Sequence, residues 1–189
     1  KAFRDVVARL PRPWLEVGVG SGRFAEALGI ETGIDPSVEL LEMAKRRGIT
    51  VFRASGEEKV FDEGTFGTVF LIVTLCFVDS PLAVLGEAYR VLKPDGKIAL
   101  GLILRESPWG QYYLMKKEEG HPFYRFASFH SYQELTRLLK RTGFIIEKVL
   151  STLFQRPNEV TRLESPRENF SAEAGFTVIV ARKTATGSQ

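Results

Sequence analysis

"LEVGVGSGRFA", residues 15–25, sets three glycines at alternate positions between an apolar run and the start of a helical pattern. Glycine admits positive φ and lets another group approach the backbone with no Cβ in the way, so a ligand is expected against this turn. The turn closes the first strand candidate, and in open α/β sheets ligands lie in the crevice outside the carboxyl ends of the strands. Position and composition therefore agree.

Outward from that turn the chain alternates short β-branched or aromatic runs with helical patterns, as an α/β sheet requires. Strands are expected at "WLEVGV" (14–19), "ETGID" (31–35), "ITVFRA" (49–54), "GTVFLIVT" (67–74) and "KIALGLIL" (97–104). The fourth is apolar almost throughout, which suits a strand covered on both faces. Helices carry their own punctuation. Ser37 caps one that presents Leu40, Leu41 and Ala44 on one face and stops before Gly48; Ser80 and Pro81 open a second, which Pro94 closes. Ser131 and Glu134 have capping-box spacing at the start of a third, which ends at Gly143. Beyond Gly143, "FIIEKVLSTLF" and "GFTVIVARK" are joined by a polar link without a helical pattern, which predicts an antiparallel pair. The expected architecture is α/β: a mostly parallel seven-stranded sheet with an antiparallel C-terminal hairpin and helices on both faces.

The chain has 189 residues, 44% of them hydrophobic, enough for one domain with a sizeable core. A single domain over residues 1–189 is expected, with residues 105–130, irregular and aromatic, as a lid over an acceptor site. One cysteine, Cys76, excludes an intrachain disulfide framework and fits a cytoplasmic protein. No segment reads as a targeting or membrane-spanning sequence. Lys plus Arg outnumber Asp plus Glu by only 26 to 23, and the basic clusters "KRRG" (45–48) and "LKRTG" (139–143) fall at helix ends, where cations suit the helix dipole. Nucleic acid is thus not an expected partner, and no His/Cys/Asp/Glu cluster has metal-ligand spacing.

Gly18, Gly20 and Gly22 give G-x-G-x-G, with Arg23 where a dinucleotide fingerprint would put its last glycine. Glu16 precedes them and would meet a pyrophosphate badly but a cation well. Asp35 ends the second strand, where a carboxylate can accept both hydroxyls of a ribose. A ligand with a ribose and a positive end is expected.

With "LEVGVGSG", "GIDPS", "RVLKPDG" and "GF" in order over roughly residues 14–150, the chain resembles the class I S-adenosylmethionine-dependent methyltransferases. The resemblance is nearest to the small-molecule group that includes the ubiquinone and menaquinone biosynthesis enzymes. It implies a Rossmann-like doubly wound fold and S-adenosylmethionine as cofactor. By carry-over, Glu16 orients the loop and attracts the methionyl ammonium, Gly18 and Gly20 admit the methionine part, Gly22 belongs to the same cofactor-binding loop, Asp35 holds the ribose, and Pro36 and Ser37 flank the adenine. Thr74 and Leu75 lie beside the cofactor. The chain departs from the family between the third and fourth strands, where Ser55 takes the usual acidic position; Glu57 stands in for it, and a backbone N–H near Gly56 serves the adenine ring. After the fourth strand Cys76 and Phe77 replace a pair of histidines common in relatives.

Methyl transfer needs positioning more than a base, and well-aligned groups reach effective molarities of about 10⁵ to 10⁸ M. His121, His130 and Tyr113 are the candidates for any proton transfer. The acceptor is expected to be a small molecule, an amine or an aromatic hydroxyl. Three alternatives stay open: an NAD-type oxidoreductase, a methyltransferase acting on RNA or protein, and a non-catalytic S-adenosylmethionine-binding module.

Overall fold

The computed structural model describes residues 2–185. Its strands are β1 (Trp14–Val17), β2 (Thr32–Asp35), β3 (Thr50–Arg53), β4 (Phe66–Ile72), β5 (Leu92–Leu102), β6 (Phe144–Thr152), β7 (Arg167–Glu168) and β8 (Phe176–Lys183), and they form one sheet in the order β3-β2-β1-β4-β5-β8-β6-β7. From β3 to β5 every neighbour is parallel; β8 then runs antiparallel to both β5 and β6. The expected seven strands are present, and the eighth, β7, is a two-residue edge piece in the polar link, paired with Leu150 and Ser151. Ser151 holds it there, donating its hydroxyl to Asn169 O and accepting from the Ser171 N–H.

The helices are α1 (Arg4–Val7), α2 (Arg23–Leu28), α3 (Val38–Arg46), α4 (Pro81–Val91), α5 (Pro108–Glu118) and α6 (Tyr132–Arg141). Alternation along the strands divides the core in two. Val69 and Leu71 of β4 pack with Leu85 and Val91 of α4 and Leu135 and Leu139 of α6. Phe70 and Ile72 point the other way, into a cluster with Val6 of α1, Ala25 of α2, and Leu41 and Ala44 of α3. β4 is buried at every position, as its composition demands. No helix among the described residues is long and apolar enough to cross a membrane.

Ser37 accepts from the Leu40 N–H, Ser80 from the Ala83 N–H, and Ser131 and Glu134 close a full capping box. Leu40, however, does not share the buried face of Leu41 and Ala44; it is 39% exposed. β5 starts directly at Leu92, and a step of two residues on β4 is matched by a step of five on β5, so "LKPDG" is a bulge rather than a helix end, with Asp95 at φ 57°. The aromatic segment after β5 is not irregular throughout: α5 occupies its first half, with Ser107 accepting from the Gly110 N–H and Pro108 at the first helical position.

Candidate functional site

β1 ends at Val17, and the Gly18 and Val19 N–H groups both donate to Ile34 O at 2.9 Å, so the glycine turn is pinned to the end of β2. Three bare positions meet three different surroundings. A Cβ on Gly18 (φ +72°) would lie 2.7 Å from Thr74 Oγ1, and one on Gly22 would lie 2.9 Å from Ala44 Cα, so both are glycine for packing. A Cβ on Gly20 would meet nothing within 4 Å. That open space is a cavity of about 620 Å³, within the range of about 300–1,000 Å³ usual for small-molecule sites.

Asp35, 8% exposed at the end of β2, fixes the turn from the side: Oδ2 accepts from the Gly20 N–H and Oδ1 from the Ser37 N–H, both at 2.9 Å. Glu16 sits beneath, 1% exposed, with Oε2 lacking a hydrogen-bond partner among the described residues. Burial raises its carboxyl to about 8, the Ala25 N–H opposes that rise, and the Asp35 charge adds to it.

The third wall is the turn after β3. Ser55 donates its N–H to Glu58 Oε1 at 2.7 Å, and Glu57 Oε1 accepts from the Ser80 N–H at the start of α4. The floor is the turn after β4. Val73 sits at φ 57°, a left-handed backbone that a β-branched residue adopts only under strain, and its N–H is held by Gly101 O at 2.7 Å. Thr74 Oγ1 donates to Val17 O at 3.0 Å, joining that floor to β1.

Of the residues expected at a cofactor site, Gly18, Gly20, Asp35, Pro36, Ser55, Gly56, Glu57 and Thr74 line this one cavity. Four do not. Glu16 is buried below it, Gly22 is packed against α3, Ser37 spends its hydroxyl on the α3 cap, and Leu75 is fully buried in the core. The cavity also takes residues that sequence reading missed, among them Leu40, Val73, Phe77, Val78 and Asp79. The signal for the last three was adjacency, since they continue the turn that holds Thr74.

The aromatic segment contributes a single ring to the cavity, Phe123, whose centroid lies 4.7 Å from that of Phe77. The other rings support it. Tyr124 packs on both His121 and Tyr113, and Tyr113 stacks on Phe129. Phe129 and Ala127 cluster with Cys76, whose carbonyl accepts from the Ser128 N–H at 2.7 Å. Burial pushes the Cys76 thiol up to about 12, so it is an apolar packing group. Trp109 anchors the far end of the segment, donating Nε1 to Gln155 O at 2.8 Å and lying against Gly175.

None of the three proton-transfer candidates lines the cavity. Burial, with the Tyr124 hydroxyl next, pushes the Tyr113 phenol up to about 12, which makes it a donor and no base at neutral pH. His121 is exposed and its Nδ1 accepts from the Phe123 N–H, while His130 Nε2 lies 3.4 Å from Leu75 O. Among the described residues no group of three His, Cys, Asp or Glu could hold a metal ion.

A family model described as a methyltransferase domain matches residues 15–100. An uncharacterized protein of Mycobacterium tuberculosis is 39% identical over 181 residues, covering 95% of this chain but only 64% of that protein's length. An uncharacterized protein of Methanocaldococcus jannaschii is 39% identical over 169 residues, covering 89% of this chain and 81% of its own. The crystal structure of an S-adenosylmethionine-dependent methyltransferase from Thermotoga maritima, described as a possible histamine N-methyltransferase, superimposes with a TM-score of 0.88 and 38% identity, covering 95% of this chain and 86% of that one.

Proposed function

The chain belongs to the S-adenosylmethionine-dependent methyltransferases, and we propose that its acceptor is a small amine, received under Phe123 in the cavity that also holds the cofactor. The residues present suit S-adenosylmethionine. Open space over Gly20 admits a ligand to bare backbone, and a pair of carboxylates, Glu16 and Asp35, suits a molecule with an ammonium and ribose hydroxyls. In this reading Gly18 and Gly20 seat the methionine part, Asp35 receives the ribose, and Pro36, Ser55, Gly56 and Glu57 border the adenine, with Thr74 beneath.

The observation that carries the amine is the company of Phe77, Phe123 and Asp79 in one cavity. Aromatic faces attract a cation. Asp79 is exposed, and no hydrogen bond or ion pair engages it among the described residues, whereas Asp35 and Glu57 are both occupied by backbone N–H groups. The description of the Thermotoga relative points the same way.

When bound, the cofactor supplies a methyl carbon on a positively charged sulfur, open to in-line attack by a lone pair. The chain supplies position: the rings of Phe77 and Phe123 hold the acceptor, and the pinned glycine turn fixes where the attacked carbon lies. An amine arrives protonated and must lose that proton, so turnover is expected to rise with pH toward the amine's own pKa.

The test is methyl transfer from labelled S-adenosylmethionine to parallel panels of small amines, small phenols, RNA and protein. Turnover confined to amines is the expected result. Turnover of phenols or of a macromolecule in their place would overturn the amine, and cofactor binding with no turnover on any panel would favour a binding module.

A further inference from the structure

Glu16 projects from β1 into the face of the sheet covered by α2 and α3. In register with it stand Gly33 on β2 and Phe70 on β4, and Phe70 belongs to the apolar cluster of Trp14 and Ala25. Each neighbouring element offers the carboxyl little. α2 gives the Ala25 N–H, β2 gives the negative charge of Asp35, and β4 gives an aromatic ring. Glu26 of α2 and Arg47, just past α3, pair with each other at 2.6 Å, Arg47 Nε is taken by Ser21 O, and no cation among the described residues acts on Glu16. One carboxyl oxygen is left with no partner among the described residues.

A buried acid with an orphan oxygen, beside a second carboxylate that accepts two backbone N–H bonds, is most cheaply kept neutral. The need for a negative charge arises only when a cation reaches the turn above. We propose that Glu16 is the proton-linked positioning residue of the cofactor site: it carries a proton while the glycine turn is bare and releases it when a ligand ammonium lies over Gly18 and Gly20. In the step the Glu16 O–H bond breaks, the proton passes to solvent, and the carboxylate left behind faces the new positive charge. This goes beyond the amine reading and rests only on the placement of the cofactor. Glu16 is thereby neutral without ligand and charge-matched with it, and it rewards ligands that bring an ammonium.

The consequence is a proton count. Below the carboxyl's pKa of about 8, ligand affinity should rise up to tenfold per pH unit, each ligand bound releasing close to one proton. The window from about pH 5.5 to 7 is the useful one, because an α-amino group, near 7.7–8.0, stays protonated throughout.

The experiment is calorimetric titration of the full chain with S-adenosylhomocysteine at pH 6.5, in two buffers of very different ionisation enthalpy. The difference in heat gives the protons released. Close to one is expected for S-adenosylhomocysteine and none for 5′-methylthioadenosine, which lacks the ammonium. Glu16→Gln should bind more weakly and release none. Tight binding of S-adenosylhomocysteine with no proton release would overturn the inference and leave the cofactor site intact, whereas no binding at all would instead overturn the placement of the cofactor. Should Glu16→Gln fail to fold, infrared difference spectra of the parent protein decide: a protonated-carboxyl band lost on ligand addition is expected, and an unchanged band refutes the proposal.

Discussion

Replacing Asp35 by Asn changes one atom and tests two claims together. The carboxylate accepts the Gly20 N–H on one oxygen and the Ser37 N–H on the other, each at 2.9 Å, in a residue only 8% exposed. Asparagine keeps the shape and offers one acceptor, so its NH₂ must face one of the two N–H groups and leave it unpaired. An unsatisfied donor costs about 1–3 kcal/mol when fully buried, and these half-buried N–H groups belong at the lower end, about 1 kcal/mol in a denaturant titration. If the same carboxylate receives ribose hydroxyls, the loss of a charged acceptor removes a further ~1.5–3 kcal/mol from ligand binding, or about 10- to 150-fold in Kd. The assay is calorimetric titration of Asp35→Asn and its parent with S-adenosylhomocysteine, alongside urea denaturation of both. A destabilised variant with unchanged Kd would mean that Asp35 only braces the turn. Unchanged stability would mean that the two backbone bonds contribute nothing, and the account of the turn would fail.

Other expectations follow from the same geometry. Gly18→Ala combines a left-handed φ with a Cβ 2.7 Å from Thr74 Oγ1 and should cost ~2–4 kcal/mol in denaturant unfolding; Thr74→Ala in the same chain should return at least ~1 kcal/mol, and strict additivity would refute the contact. Glu16 is raised in the fold to about 8, so between its unfolded value of 4.5 and about 8 the native state holds the extra proton. Its contribution is complete below pH 4.5 and falls by at most ~1.4 kcal/mol per unit as pH rises, so thermal stability should decline over pH 5–8 more steeply in the parent than in Glu16→Gln. Phe123→Ala, at a side chain on a residue 57% exposed, should leave unfolding within ~0.5 kcal/mol and raise the acceptor KM about three- to tenfold with cofactor Kd unchanged. An unchanged KM would remove Phe123 from the acceptor site.

Local signals carried most of the fold. Ser37, Ser80 and Ser131 each cap where their spacing to the following apolar pattern predicts, and the apolar continuity of β4 marks the strand buried on both faces. α5 escaped because Trp109, Tyr112, Tyr113, Leu114 and Met115 ring the helix instead of forming a stripe, although Ser107 and Pro108 repeat the pair that opens α4. Leu40 was misassigned because its position one residue before Leu41 places it about 100° round the helix, enough to turn it from core to cavity. For the site, Gly20 and Asp35 were legible as chemistry, a bare backbone and a carboxylate at a strand end. The Phe77–Phe123 contact joins two distant loops, and the strain at Val73 arises from the loop's closure against Gly101; neither has a local signature. The burial of Glu16 was equally silent, since the residue type announces a charge that the fold suppresses.

The position of β8 between β5 and β6 has a meaning for the order in which the molecule can be made. Six residues of β5 and eight of β6 pair with β8, which alone joins those two strands, and Val178, Ile179 and Val180 are buried among them. During synthesis, a chain that has emerged as far as β6 therefore presents two raw edges with a slot between them, apolar and ready to pair with any extended segment nearby. The last strand acts as a keystone, and until residues 176–183 arrive the growing protein is a candidate for chaperone capture or for exchanging strands with a neighbour on the same message.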